Sequence, residues 1–554
     1  MAFTADSHRI VYLGLDSALF GCIMNFVLPL FLALFSLWLW HWNKTVIRLF
    51  LFSMGLSFTA LLIPIVAGQN VFWEDVCHTV LYVLNNMVFV LMVWRILTDI
   101  NLTRKIGYPV ASFLFYVLWF PSILVIAYYA GYQAVLSEDT LMIILQTNLR
   151  EAAEFVRIHF MRLCVGLVVF LIPLVVLIKN RFQETCRIKF YYPLVALCMI
   201  VGIVYSGTMI VIVNAYPMTI FRNVIWLQDY HLDMEEIVHP PLMRDEDKQL
   251  WVVVIGESAV RDKMGVYGYK EKNTPWLDGV KDKILFTNAY SCNTYTIGVL
   301  PYLLTSSSQY GEKGEFSIID TAKLAGYKTY WISNQEKFGN WGTNISNITS
   351  KADFTKWNEM IETSIHYKTK YYDEQLLETV KELSFTEDSL VFLHLMGSHQ
   401  DYNQRYPNSF AKFEKSYDNT ILYTDYVLQQ IYEYFSQKPH FSGMIYLSDH
   451  GETESDRSHN PDLFEWNMVR IPFFIIVSDS YKENHKELVD ILVQHRDKYW
   501  TNDLFYDMMN HILGIKDIPE YKKEWDISDI SYKGTKENTF TKNGNISIKE
   551  EPQD

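Results

Sequence analysis

The sequence predicts two architectures in one chain: a polytopic α-helical membrane domain, then an α/β/α soluble domain on a doubly wound, mostly parallel sheet. Three observations predict it. Apolar residues make up 50% of the 554, and they crowd into residues 1 to 215 in runs such as "FGCIMNFVLPLFLALFSLWLW". From Asp229 onward charged and polar residues return at the density of a globular protein. In that second part, short β-branched apolar runs alternate with helical periodicity, the pattern of parallel strands joined by crossover helices.

In the first part, six stretches approach the roughly 20 apolar residues that cross a bilayer core: 18–40, 49–68, 77–96, 107–130, 159–178 and 191–214. Asp16, near the start of the first, leaves a half-buried hairpin as the alternative there. Alternate loops are basic, carrying Lys44 and Arg48, then Arg95, Arg104 and Lys105, then Lys179, Arg181, Arg187 and Lys189. The positive-inside rule places these loops in the cytoplasm. The loop at 69–76 has no Lys or Arg, and the one at 131–158 offsets Arg150 and Arg157 with acids. Both loops, and everything after residue 215, are therefore expected to face outward. The apolar segments themselves insert the chain, so no cleavable signal peptide is needed. The expected domains are a membrane domain at 1–215, a linker at 216–245, a catalytic domain at 246–530 and a flexible polar tail at 531–554.

A net charge of −14 argues against nucleic acid as a partner, because phosphate backbones attract basic surfaces. Five of the six cysteines lie in or beside the apolar spans, and only Cys292 falls in the soluble part. The outward domain must therefore hold together without an internal disulfide.

The strands of that domain are read as follows. "LWVVVIGES" (250–258), "SLVFLHLMGSH" (389–399) and "GMIYLSDHGE" (443–452) are continuous apolar runs, as expected of strands covered on both faces. Weaker runs are "KILFTNAY" (283–290), "KTYWIS" (328–333) and "IPFFIIVSD" (471–479), and "YDNTILYTDYVLQQIYEYFSQ" (417–437) has helical spacing. Ligands of such sheets bind beyond the carboxyl ends of the strands. That rule gathers Glu257 and Ser258, His394 and His399, and Asp449 and His450 at one end of the sheet.

Glu257, Asp449, His450, His399 and His459 offer the oxygen and nitrogen donors that bind zinc or manganese. No single spacing is diagnostic, and "DHGE" alone is most often a turn; the joint placement at strand ends carries the inference. A nucleophile is sought in "NAYSCNTYTIGVLPYLLT" (288–305), which is rich in hydroxyls and precedes a helix-like run. Thr294 or Thr296 there is either an N-cap or a metal-activated nucleophile, and local sequence does not separate the two.

Taken in order, "VVVIGESAVRDKMGVYGYKEKNTPWLD", "SCNTYTIGVLP", "HLMGSHQDYNQRYP", "YDNTILYTDYVL" and "YLSDHGE" with a following His resemble the phosphoethanolamine transferases of the alkaline-phosphatase superfamily, the family that modifies lipid A and confers colistin resistance. The resemblance covers residues from about 45 to 530. It implies an alkaline-phosphatase-like fold, with Thr296 as the nucleophile that carries phosphoethanolamine. It further implies Glu257, Thr296, Asp449 and His450 as ligands of a tightly bound zinc, with His399 and His459 on the donor head group or on a second, weaker zinc. "DTLMIILQTNLREAAEFV" (139–156) resembles the outward loop that receives the lipid, with Thr147 and Glu151 at matching positions.

Three departures stand out. Ile143 replaces an Asn in that loop, Glu336 and Gly339 replace a Ser and a Lys in "WISNQEKFGN" with Lys337 as a shifted substitute, and the family's paired cysteines are absent. The first span is an addition to a five-span core. The implied activity is transfer of phosphoethanolamine from phosphatidylethanolamine to lipid A, lipopolysaccharide core, a glucan or a protein, by a ping-pong route. His399 would protonate the leaving group, and Glu452 would support the ligands. The implied setting is a bacterial inner membrane with the catalytic domain in the periplasm, as a monomer. The rivals are a manganese-using phosphoglycerol transferase on the same fold and a catalytically inactive membrane scaffold.

Overall fold

The computed structural model describes residues 44–66, 104–132, 149–179, 239–310, 314–335, 344–357, 372–453 and 464–552, with a few single positions between 79 and 144. The chain divides into two compact units, Met1–Ile144 with Phe155–Tyr230, and Leu145–Glu154 with His231–Asp554.

Among the described residues before 180, the long apolar helices are α1 (Lys44–Val66), α2 (Arg104–Tyr132) and, after the short amphipathic α3 (Leu149–Ile158), α4 (Phe160–Lys179). The expected spans at 49–68, 107–130 and 159–178 fall on α1, α2 and α4. Of these, the stretch Phe115–Tyr132 is long and apolar enough to cross a membrane, while Leu51–Ile63 and Phe160–Ile172 are shorter apolar runs. The span expected at 77–96 is described only at Thr79 and Val83, both helical, and those at 18–40 and 191–214 lie outside the described residues. Helices α2 and α4 approach closely through two glycines. A Cβ on Gly131 would stand 2.9 Å from the Arg162 carbonyl oxygen, and one on Gly166 would stand 3.1 Å from that of Ala127. Polar groups then pair between helices: the Tyr116 hydroxyl donates to the Phe170 carbonyl at 3.0 Å, and Trp119 Nε1 donates to Ser57 Oγ at 3.1 Å.

The second unit is built on a seven-stranded sheet in the order β2-β8-β7-β1-β6-β4-β5. The strands are β1 (Leu250–Gly256), β2 (Lys283–Phe286), β4 (Lys328–Ser333), β5 (Phe354–Lys356), β6 (Ser389–His394), β7 (Phe441–Ser448) and β8 (Phe473–Val477). Only β8 runs against the rest, pairing antiparallel with both β7 and β2. The segment after β7 returns on the same end of the sheet, so no crossover is required there. Alternate residues of β1 enter two cores. Trp251, Val253 and Ile255 pack on one face, while Leu250, Val252 and Val254 pack on the other. Burial on both faces explains why β1 reads as an unbroken apolar run.

The structure corrects two expectations. "KILFTNAY" is two strands in two sheets, because the chain turns at Thr287, whose amide donates to the Arg496 carbonyl and whose hydroxyl donates to Asp497. The second of these strands, β3 (Asn288–Tyr290), pairs in parallel with β9 (Tyr499–Thr501) in a separate ribbon. The tail expected to be flexible is folded through residue 552. There β10 (Phe540–Thr541) and β11 (Ile546–Ser547) form an antiparallel hairpin. Its turn passes through Lys542, Asn543 and Gly544, all at positive φ, which the Asn-Gly pair favours. Ile548 is buried with Tyr290, Met468 and Val469. Long-range polar contacts, rather than an apolar period, hold this segment, so its composition reads as a tail.

Candidate metal and nucleophile site

The sheet register builds the site. Gly256 of β1 lies opposite Ser448 of β7, so Glu257 and Asp449 leave adjacent parallel strands at the same level. The Asp449 amide donates to the Gly256 carbonyl at 3.0 Å, which holds the two strand ends together for one residue more. Glu257 and His450 are 1% exposed and Asp449 is fully buried. Donor atoms of Glu257, Asp449 and His450 all lie within 4.8 Å of one another.

Backbone conformation aims these groups. Ser258 adopts a φ of +56°, which is sparsely populated outside glycine. Its amide donates to Asp449 Oδ1 at 3.2 Å and its hydroxyl donates to Glu257 Oε1 at 2.7 Å. Gly397, with φ +48°, lies against Glu257; a Cβ there would stand 2.8 Å from the Glu257 carbonyl oxygen. The loop before it is tied down by buried Asp373, which accepts from the amides of Met396 and Gly397.

Thr296 begins helix α5 (Thr296–Leu303), and Tyr295 is its N-cap residue without a side-chain cap. The Thr296 hydroxyl does not cap its helix. It donates to Glu257 Oε2 at 2.9 Å and lies 3.4 Å from His450 Nε2. Thr294 is buried with its hydroxyl unpartnered.

The electrostatics of the cluster are set by burial and by mutual charge. Burial works to raise the Glu257 carboxyl, but the charges of His450 and then His399 hold it well below the usual carboxylate range. Burial and the nearby Glu257 charge push Asp449 up to about 7. Burial opposes charge on His450, yet Asp449 and Glu257 raise it to about 10. Two buried carboxylates thus demand positive charge between them. The donor set fits a divalent cation. His450 Nδ1 lies 2.6 Å from the Gly451 carbonyl, which fixes the proton on that nitrogen and leaves Nε2 as a donor atom. Asp449 Oδ1 accepts from the amides of Ser258 and His450, whereas Oδ2 is buried, makes no hydrogen bond and lies 3.5 Å from His450 Nε2. Oxygen and imidazole donors of this kind suit zinc.

His399 is half-buried, with Arg405 Nη2 3.4 Å from its Nδ1, and its charge is felt at Glu257. Glu452 is buried and accepts from the Thr453 amide at 2.8 Å. Glu151 lies on α3, while Thr147, Ile143, Glu336, Lys337, Gly339 and His459 lie outside the described residues. The residue that sequence reasoning missed is Gln335. Its amide donates at 3.0 Å both to Glu257 Oε2, the oxygen that also accepts from Thr296, and to the Leu395 carbonyl. It follows the carboxyl end of β4, so the strand-end rule applied to "KTYWIS" would have found it.

The Sulfatase family profile matches residues 249–515. The chain is 24% identical over 440 residues to phosphoethanolamine transferase EptC of Escherichia coli strain K12, covering 68% of this chain and 75% of that one. Residues 249–515 thus carry a Sulfatase domain, and the curated relatives that the chain matches are named phosphoethanolamine transferases. A second relative, phosphoethanolamine transferase EptA of Helicobacter pylori, is 28% identical over 312 residues, 49% of this chain and 57% of that protein. Among solved structures, the integral membrane lipooligosaccharide phosphoethanolamine transferase A of Neisseria meningitidis aligns with a TM-score of 0.55 at 19% identity, covering 81% of this chain and 97% of that one. At that identity the likeness shows the fold. The second unit is an alkaline-phosphatase-like domain on a mostly parallel, mixed sheet.

Proposed function

We propose that this phosphoethanolamine transferase moves the group from phosphatidylethanolamine to a cell-envelope acceptor through a covalent intermediate on Thr296, in a zinc-dependent reaction. The supporting observation is that Thr296 Oγ1 starts a helix and faces Glu257 and His450 at 2.9 and 3.4 Å. A threonine hydroxyl is a weak nucleophile, and zinc held by Glu257, Asp449, His450 and Thr296 would supply the charge that lowers its pKa and screens the phosphoryl oxygens. The remaining work belongs to the chain. Glu257, already kept ionised, accepts the Thr296 proton. The start of α5 would favour the negative charge of the incoming phosphoryl group. A bond forms from Oγ1 to phosphorus, the bond to the glycerol oxygen breaks, and that oxygen takes a proton from His399 as diacylglycerol leaves. The acceptor, whether lipid A, core, glucan or protein, then removes phosphoethanolamine from Thr296.

The donor is a lipid, which accounts for the apolar first unit. We infer six spans in a bacterial inner membrane, with the catalytic unit in the periplasm as a monomer. His459, Lys337, Thr147 and Glu151 would take the donor head group. The test is to incubate purified protein with phosphatidylethanolamine and weigh the tryptic peptide containing Thr296. A phosphoethanolamine adduct is expected. A phosphoglycerol adduct formed from phosphatidylglycerol instead would replace this reading with the phosphoglycerol transferase, and no adduct with either lipid would favour an inactive scaffold.

A further inference from the structure

The folded C-terminal segment touches both halves of the site from behind. Thr541, fully buried, donates through Oγ1 to the Ser291 carbonyl at 2.7 Å, and the Asn543 amide donates to the Cys292 carbonyl at 2.9 Å. These carbonyls belong to the segment that leads into Thr296. At the other end, Glu551 accepts from the Tyr290 hydroxyl at 2.6 Å and pairs with Arg470 Nε at 2.5 Å. Arg470 also pairs with Asp262 at 2.9 Å, so Glu551 is part of a network rather than a lone surface charge.

The two grasped segments are the ones that frame the ligand loop. The Ser291 amide donates to the Val469 carbonyl at 2.7 Å, and the Ser291 hydroxyl donates to the Asp449 carbonyl at 2.6 Å. The Gly451 amide donates to the Met468 carbonyl at 2.7 Å. Residues 290–292 therefore carry the nucleophile on one side and brace Asp449 on the other, while residues 468–470 back the loop that holds His450. Residues 540–551 tie these segments to each other without touching the candidate ligands.

We propose that this strap is a positioning element: Thr541 and Glu551 fix the height of the Thr296 helix start relative to the Asp449–His450 loop. The proposal rests on Thr296 being the nucleophile. Its physical basis is that attack in line requires the reacting atoms within a narrow range, and a misplacement of 1 Å costs about a hundredfold in rate. A strap that served stability alone would move the melting temperature and leave the rate of attack unchanged.

The experiment follows adduct formation on Thr296 in the full chain, using phosphatidylethanolamine in mixed micelles at limiting and saturating concentrations. Thermal unfolding and zinc titration are run on the same samples. Thr541→Val, which deletes one hydroxyl at constant shape, is expected to slow the reaction at saturating donor by about tenfold. Its half-saturating donor concentration and zinc affinity should stay unchanged, and Thr541→Ser should recover the rate. Glu551→Gln, which keeps an acceptor for Tyr290 but drops the charge facing Arg470, should slow the same step. Wild-type rates in both Thr541→Val and Glu551→Gln would overturn the proposal, as would a rate that falls only in proportion to bound zinc. Thr296→Ala separates the two levels. An adduct that persists there removes the nucleophile assignment, whereas its loss alongside unaltered strap variants removes the strap alone.

Discussion

His394 and His450 sit at the ends of neighbouring stretches of one sheet, with β1 between their strands, and both are buried to within 1%. They are driven in opposite directions. His450, beyond β7, is raised to about 10 because the charges of Asp449 and Glu257 outweigh burial. His394, ending β6, is lowered to about 4 because burial outweighs the more distant pull of Glu257. The β7–β1 end gathers carboxylates and calls for a cation. The β6–β4 end is a neutral, hydrogen-bonded support in which Ser333 Oγ lies 3.2 Å from His394 Nδ1 and the Ser333 hydroxyl also accepts from the Gln335 amide. The difference teaches that depth does not decide the chemistry of a buried histidine; the carboxylates that the register places beside it do.

The largest test of this division is Thr296→Ala, which removes the hydroxyl facing the charged end. Transfer from phosphatidylethanolamine should fall by at least about 10³-fold with the protein still folded, measured by adduct mass and product formation. Asp449→Asn should make the charged end resemble the neutral one. Zinc affinity in calorimetric titration should drop by more than the roughly 100-fold that a supporting group is worth, and His450 should titrate far nearer 6.5 in the metal-free protein by proton NMR. If His450 kept its raised pKa in that variant, the Asp449 charge would not be its main cause.

Gln335→Leu probes the link between the two ends, since Gln335 reaches from β4 to Glu257. Loss of its amide should weaken zinc binding by roughly 10–100-fold while leaving the fold intact by circular dichroism. The effect expected at His394 is on stability rather than on transfer or metal binding. Its folded pKa, about 4, lies below the ordinary 6.5, so the unfolded chain binds the extra proton. The stabilisation is complete above about pH 6.5, declines as pH falls toward 4, and is gone below it, amounting to about 3 kcal/mol. Denaturant unfolding of wild type and His394→Gln across this window should show the difference narrowing with acidification. A constant difference would contradict a neutral His394.

Much of the catalytic unit was legible in the sequence because its central strands are covered on both faces. "LWVVVIG", "SLVFLH" and "FSGMIYLS" are buried throughout, so each announces itself as an apolar run. The strand-end rule then located Glu257, Asp449 and His450. Three features were not legible. The break at Thr287 depends on Asp497, some two hundred residues away, and the folded tail depends on Tyr290 and Arg470. Gln335 lies just beyond the carboxyl end of β4, where the strand-end rule points, but only the placement of β4 beside β6 shows that it reaches Glu257.

The sequence by itself determined the division into an apolar and a globular half, the alternating strands and helices, and the residue types of the site. These are properties of composition and local period, which burial imposes on neighbouring positions. Tertiary structure decided which threonine faces the carboxylates, that Ser291 braces the Asp449 carbonyl, and that residues 540–551 pack behind the segment leading into Thr296. Those outcomes follow from strand register and from contacts between segments distant in the sequence, where no local pattern carries the information.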